Sequence, residues 1–308
     1  MNEKNILNNI IEYKYLTEEK DLVHIGYGID NNYVRCTATS MISFYLNNKD
    51  RNFSFYIITN KLLDENKEKF RCLAEKYKFN ISIYEIKQDF FKSLPQKEHW
   101  SVAMYFRFIL PIILNKEKKL FYVDADTLCL KRCDSFFDIN LENNVIGAVL
   151  DIKRVRKKRE QALKLRKNSY FNSGVLVINI QEWNKLNLLE KTIDLISKDP
   201  KKYKYPDQDA LNFLLNNRIK YMDNIFNCID VNSLNPKNIV ILHFANHPKP
   251  WSEKWNINII YNSFTKDLYS FYEKKTPWQG MPLEKLKNQQ LIFKSYIKYY
   301  LNKILKMI

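Results

Sequence analysis

Two carboxylates one residue apart, Asp124 and Asp126, close an apolar stretch that reads Phe121, Tyr122, Val123, Asp124, Ala125, Asp126. Alternate side chains of a strand share a face, so both acids point the same way and can hold one hard cation through oxygen. At the carboxyl edge of an open α/β sheet such a cation faces the ligand crevice and suits a diphosphate. A second segment, His243 through Trp251, adds an imidazole and, at Lys249, an ammonium after another apolar run. Two carboxylates with one imidazole favour Mn2+ or a similar divalent ion over Ca2+, for which nitrogen is a poor ligand. Lys249 could then hold a phosphate oxygen that the metal leaves free. Taken singly, each motif also has an ordinary reading, as an acidic pair ending a strand or a backbone-satisfied buried imidazole.

Two further segments offer small polar groups, Tyr170-Phe171-Asn172-Ser173-Gly174 before an apolar run and Pro206-Asp207-Gln208-Asp209. Amides and carboxylates suit sugar hydroxyls, because each can serve two neighbouring oxygens. Alone, both segments also read as caps or turns.

The elements that must position these groups follow from periodicity. Leu22 to Tyr27 reads as a buried strand closed by the turn formers Gly28, Asp30, Asn31 and Asn32. Tyr33 to Leu46 has helical apolar spacing, Phe53 to Thr59 is a strand, Leu62 to Tyr77 a helix and Ile81 to Ile86 a strand. A helix over Ala103 to Leu114 leads into the carboxylate-tipped strand. Val145 to Leu150, Val175 to Ile180 and Ile239 to His243 follow as buried strands, with Tyr205 to Asn216 a helix. Strands alternating with helices predict an α/β fold with a mainly parallel, doubly wound sheet.

The chain has 308 residues, 45% of them apolar and 14% aromatic, enough for a substantial core. Residues 1–20 read as a loosely packed lead-in, 21–265 as the catalytic domain and 266–308 as a C-terminal basic segment. The five cysteines, Cys36, Cys72, Cys129, Cys133 and Cys228, form no close CxxC pair and fit a reducing compartment. No signal peptide and no run of about 18 apolar residues is seen. A cytoplasmic location without a membrane span is expected.

The net charge of +16 is concentrated in two places. Lys153 to Lys167 carries nine basic residues and one acid, Glu160; Lys285 to Ile308 carries six lysines and no acid. In the second, Phe293, Ile297, Tyr300, Leu301, Ile304 and Ile308 recur at helical spacing, the pattern of a basic amphipathic helix. Such a charge also admits a nucleic-acid-binding protein, a reading that leaves the carboxylates and His243 idle.

The chain resembles glycosyltransferase family 8. The likeness runs in order through Gly28-Ile29-Asp30-Asn31-Asn32-Tyr33, His99 to Arg107, Asp124-Ala125-Asp126, Asp151, Phe171-Asn172-Ser173-Gly174, Asp207-Gln208-Asp209 and His243 to Trp251. It narrows toward the bacterial lipopolysaccharide core glucosyl- and galactosyltransferases at Tyr27 to Tyr33 and at Thr276 to Leu283. The resemblance implies the nucleotide-sugar fold called GT-A, with helices flanking a mainly parallel sheet and a small basic helical extension. It also implies a retaining, metal-dependent transfer of glucose or galactose from a UDP-sugar to a lipopolysaccharide core, with Mn2+ or Mg2+ as cofactor. A capsule-directed or self-glucosylating member of the same family is the alternative.

Carried over by position, Asp30 and Asn32 would bind uracil and ribose while Tyr33 stacks on the base, with Gly28, Ile29 and Ala125 in the same donor site. Asp124, Asp126 and His243 would hold the metal. Arg107 and Asp151 would orient the hexose, although Arg107 also reads as a structural partner of the carboxylates. His99 matches a donor-side lid position. Asn172, Asp207 and Gln208 would surround the sugar, Gln208 nearest the anomeric carbon. Because an amide is a feeble nucleophile, a front-face substitution is favoured, with Asp207 the fallback nucleophile. Asn246 stands where the family usually has glycine, in the loop that brings Lys249 to the phosphates.

The expected partners are a UDP-hexose, the anionic lipopolysaccharide core and the anionic face of the inner membrane, with no nucleic acid. The Lys153 to Lys167 run would rim the acceptor side and attract the core by long-range charge. The C-terminal helix would lie on the membrane surface or pack its apolar stripe on the catalytic domain.

Overall fold

The computed structural model describes residues 6–16, 20–87, 89–92, 94, 102–258, 260, 263–285 and 289–305. Its strands are β1 (Leu7–Tyr13), β2 (Leu22–Gly28), β3 (Asn52–Thr59), β4 (Asn80–Ile86), β5 (Lys119–Val123), β6 (Thr127–Cys129), β7 (Ile146–Leu150), β8 (Phe171–Asn179), β9 (Ile219–Tyr221) and β10 (Ile241–His243). Eight of them form a mostly parallel sheet in the order β1-β4-β3-β2-β5-β8-β7-β9. The antiparallel pairings are β1 on β4 and β8 between β5 and β7.

Helices cover both faces, so the central strands are apolar on both sides of the pleat. Phe121 and Val123 enter one core cluster while Leu120 and Tyr122 enter the other; Val175 and Val177 oppose Leu176 and Ile178 in the same way. This is why these strands read as unbroken apolar runs. The Val34–Asn47 helix joins β2 to β3 and the Asp64–Tyr77 helix joins β3 to β4, the crossovers that a parallel pairing demands.

Four segments depart from the sequence expectation. The lead-in supplies β1, whose antiparallel pairing with β4 extends the sheet, and Asn80 Oδ1 accepts from the backbone of Tyr15 and Leu16 just beyond it. The helix expected over Ala103 to Leu114 is a 3-10 run, Val102–Phe108, followed by one α turn, Leu110–Ile113. Pro111 has no N–H to continue a ladder, and its ring excludes the carbonyl four residues back. β10 leaves the main sheet to pair with β6, with His243 opposite Thr127. The division expected between 265 and 266 falls inside the Ser263–Glu273 helix, which docks on the Val34–Asn47 helix.

Buried Arg35 fixes that docking. Its guanidinium grips Glu273 and donates to the carbonyls of Met281 and Pro282 at 3.1 and 2.8 Å. Trp278 lies buried against Phe70, ring centroids 4.8 Å apart, and donates to Asn66 Oδ1. The described residues of 273–284 thus pack on the body that carries the main sheet. The last helix, Gln289–Leu305, differs: Phe293, Ile297, Tyr300 and Leu301 are exposed.

Candidate active site

The carboxyl ends of β2 and β5 and the amino end of β8 meet at the site. β5 hands over to Asp124, whose N–H donates to the Gly174 carbonyl at 2.7 Å. The chain then turns, with Thr127 Oγ1 donating to the Asp124 carbonyl, and enters β6. Because β10 pairs with β6, and Phe244 N–H donates to the Asp126 carbonyl, His243 is brought over the acidic turn. Its Nε2 lies 3.3 Å from Asp126 Oδ1 and 3.8 Å from Asp124 Oδ2. One ligand atom from each of Asp124, Asp126 and His243 falls within 4.8 Å of the others.

This donor set fits a divalent cation. Nδ1 of His243 is 2.9 Å from Asn227 Oδ1, an acceptor, so Nδ1 carries the proton and Nε2 turns its lone pair toward the two carboxylates. A cation between them satisfies all three. Gly174 leaves the room: a Cβ there would lie 2.3 Å from His243 Cε1 and 2.6 Å from Asp124 Oδ2.

Positive side chains brace the acids. Lys249 is buried with Nζ 2.6 Å from Asp126 Oδ2 and also donates to the Phe244 carbonyl. Burial raises the Asp126 pKa, but the Lys249 ammonium beside it overcomes that, and the carboxyl is held below its ordinary range. Arg107 donates from all three nitrogens: Nε to the Met104 carbonyl, Nη1 to the Ser173 carbonyl and Nη2 to Asp124 Oδ1 at 3.0 Å. Its Nε also lies 3.2 Å from Asp207 Oδ2, and its guanidinium sits over the Tyr122 ring, 4.5 Å from the centroid. Here Arg107 is a partner of the carboxylates.

The residues expected around the sugar form one connected network. Gln208 Oε1 accepts from Asn172 Nδ2 and Ser173 N–H, both at 3.0 Å; Gln208 Nε2 donates to Asp151 Oδ2 and to the Tyr170 hydroxyl. Asp207 Oδ2 accepts from Ser173 Oγ. Burial raises the pKa of both Asp151 and Asp207, the charge of Arg107 partly opposing it at Asp207. Tyr170 in turn donates to Asp209, which is paired with buried Arg159 at 2.6 Å. Arg159 therefore belongs to the support of Gln208, although it stands inside the basic run.

On the other flank, Gly28 ends β2 where a Cβ would lie 2.8 Å from Phe106 Cβ and 2.9 Å from the Ala103 carbonyl. Ile29 donates to the Ile58 carbonyl, and Asp30 Oδ1 caps the following turn by accepting from Asn32 N–H. Asn32 is exposed, while burial and then the charge of Asp126 raise the pKa of the Tyr33 phenol. Asn31 ties this loop to Lys61, Leu63 and Asn66. Asn246 does not adopt a positive φ, so this position imposes no glycine-like backbone. His99 lies outside the described residues.

The structure thus brings Asp124, Ala125, Asp126, Asp151, Asn172, Asp207, Gln208, His243 and Lys249 to one edge, with Gly28 to Tyr33 at the end of neighbouring β2. Sequence reasoning missed Asn227, Tyr122 and Tyr170. Tyr122 reads as part of an apolar strand and Tyr170 as the lead of the Asn172 segment, and their hydroxyls acquire meaning only beside Asp124 and Gln208. Asn227 sits in no motif.

The profile of Glycosyl transferase family 8 matches residues 24–255. The chain is 30% identical to the lipopolysaccharide 1,2-glucosyltransferase of Escherichia coli, over 89% of this chain and 89% of that protein. It is also 30% identical to the lipopolysaccharide 1,3-galactosyltransferase of Salmonella typhimurium, over 81% of this chain and 79% of that protein. Among solved structures, the galactosyltransferase LgtC in complex with donor and acceptor sugar analogues superimposes with a TM-score of 0.73 at 19% identity, over 88% of this chain and all of that one. That likeness is one of fold.

Proposed function

This chain belongs to glycosyltransferase family 8, and on that premise we propose that it moves glucose or galactose from a UDP-hexose to a lipopolysaccharide core oligosaccharide, forming an α-glycosidic bond. The observation that carries the reading is the convergence of Asp124, Asp126, His243 and Lys249 beside the Gly28 to Tyr33 loop. The named activities of the two relatives, one a glucosyl- and one a galactosyltransferase, frame the choice of hexose.

Asp124, Asp126 and His243 would hold Mn2+ or Mg2+, which when bound supplies positive charge to the leaving diphosphate. Lys249, already desolvated beside Asp126, adds a second positive charge at the same place. Asp30 and Asn32 would orient the nucleoside, with Tyr33 against the base. Asp151, Asn172 and Asp207 would face the hexose.

Gln208 is a poor candidate for nucleophile. It is an amide, and its oxygen already accepts from Asn172 and Ser173. Asp207 is engaged by Ser173 and Arg107. These constraints favour front-face substitution: the acceptor oxygen bonds to the anomeric carbon on the side from which UDP departs, and its proton passes to the leaving phosphate oxygen.

On the acceptor side, the exposed basic residues of the Lys153–Leu163 helix begin two residues after Asp151 and would attract an anionic saccharide. No helix among the described residues is long and apolar enough to cross a membrane. The exposed apolar residues of the Gln289–Leu305 helix, interleaved with lysines, would place the enzyme on the cytoplasmic surface of the inner membrane.

Calorimetry with UDP, and cleavage of UDP-glucose and UDP-galactose with and without Mn2+, test the reading. Metal-dependent binding and cleavage are expected; no UDP binding and no cleavage in Mn2+ would reject it. A donor panel read by mass spectrometry then assigns the hexose.

A further inference from the structure

Asn227 is buried between the 3-10 turn Asn224–Phe226 and the isolated bridge of Cys228 to Leu242. That bridge, with His243 N–H donating to the Cys228 carbonyl at 2.9 Å, sets Asn227 beside the His243 ring. Its amide reaches both ways: Oδ1 is 2.9 Å from His243 Nδ1, and Nδ2 donates to Asn172 Oδ1 at 2.9 Å.

The direction of this chain is fixed by two groups that cannot flip. Gly174 N–H donates to Asn172 Oδ1, and Ser173 N–H donates to Gln208 Oε1, each at 3.0 Å. These backbone donors decide which end of each amide is oxygen. Asn172 must then offer Nδ2 to Gln208, and Asn227 must offer Nδ2 to Asn172. The remaining Asn227 oxygen can only accept, so His243 carries its proton on Nδ1 and presents Nε2 to Asp124 and Asp126.

We infer that Asn227 is a positioning residue that sets the His243 ring toward the cation site and ties that setting, through Asn172, to the orientation of Gln208. The inference rests on the proposed metal-dependent transfer. Outer partners of a ligating histidine fix its tautomer and ring orientation, and their loss typically weakens metal binding about 10- to 100-fold. Here the outer partner is shared with the sugar side, so one side chain serves two halves of the site.

Two variants separate the halves. Asn227→Ala removes both hydrogen bonds. Asn227→Asp keeps an acceptor for Nδ1–H but cannot donate to Asn172. Mn2+ is titrated into full-length protein in the presence of UDP, with free Mn2+ followed by electron paramagnetic resonance, and kcat is measured at saturating Mn2+. Asn227→Ala should raise the Kd for Mn2+ by about 10- to 100-fold. Asn227→Asp should hold that Kd within about threefold of the wild type, while its kcat falls about tenfold or more.

Should Asn227→Ala fail to fold, the split between retained Mn2+ affinity and lost kcat in Asn227→Asp decides alone. Wild-type Mn2+ affinity in Asn227→Ala, weakened Mn2+ binding in Asn227→Asp, or a normal kcat in Asn227→Asp would overturn the inference while leaving the transferase reading intact. A wild-type protein that takes up no Mn2+ would overturn both.

Discussion

Around Asp126, charged groups have fixed and buried partners: Lys249 on one oxygen, His243 on the other, and Arg107 across Asp124 and Asp207. Along Lys153 to Lys167 and in the Gln289–Leu305 helix, charges of the same kind mostly face solvent. The first region is largely buried, so each charge is strongly coupled and geometry decides its chemistry. The second is screened, and its charges act together at a distance. Arg159 shows that the boundary is structural. It sits in the basic run, yet it is buried in a pair with Asp209, whose side chain is fully buried.

Breaking the buried region should give the largest effect. Asp126→Asn keeps the shape but removes the charge shared by His243 and Lys249, and kcat should fall by about a thousandfold or more while unfolding stays cooperative. Turnover of UDP-hexose within about tenfold of wild type would show that the buried charge at Asp126 is not needed for the reaction.

Arg159→Ala tests whether the run is one surface. It leaves the Asp209 carboxylate buried without its cation, so stability should drop by about 3–5 kcal/mol in denaturant unfolding. A loss no larger than that of a neighbouring lysine would return Arg159 to the surface.

Gly174→Ala probes the geometry of the buried region. The new Cβ meets His243 and Asp124, so kcat/KM should fall about a hundredfold and stability by about 1–3 kcal/mol. Equal activity with Ala would show that the pocket has slack.

Lys157→Ala lies at the small end. Stability should change by less than about 0.5 kcal/mol, while kcat/KM for an anionic acceptor falls a few fold and becomes less sensitive to salt. Deleting residues 289–308 should likewise weaken binding to anionic vesicles more than it weakens UDP-hexose cleavage, as sedimentation and donor assays would report.

Much of the site was legible because its groups sit at strand ends, where local pattern and position agree. Asp124 and Asp126 follow directly on β5, His243 closes β10, and Asp207 with Gln208 stands in the first turn of the helix that Pro206 opens. The misreadings have local causes. β1 has mixed burial at a sheet edge and so lacks a clear periodicity. The Val102–Phe108 segment has helical apolar spacing, but Pro111 does not let the helix run on.

By itself the sequence determined which side chains could bind a cation and a phosphate, the order of the strands that carry them and the two places where positive charge collects. Those follow from residue type and period, which are local. Only the tertiary structure decided that β10 would leave the main sheet for β6, that Arg159 would turn inward and that Asn227 would lie between His243 and Asn172. These are contacts between residues 16 to 116 positions apart. No local pattern encodes them, because burying each polar group beside its partner is settled by the packing of the whole chain.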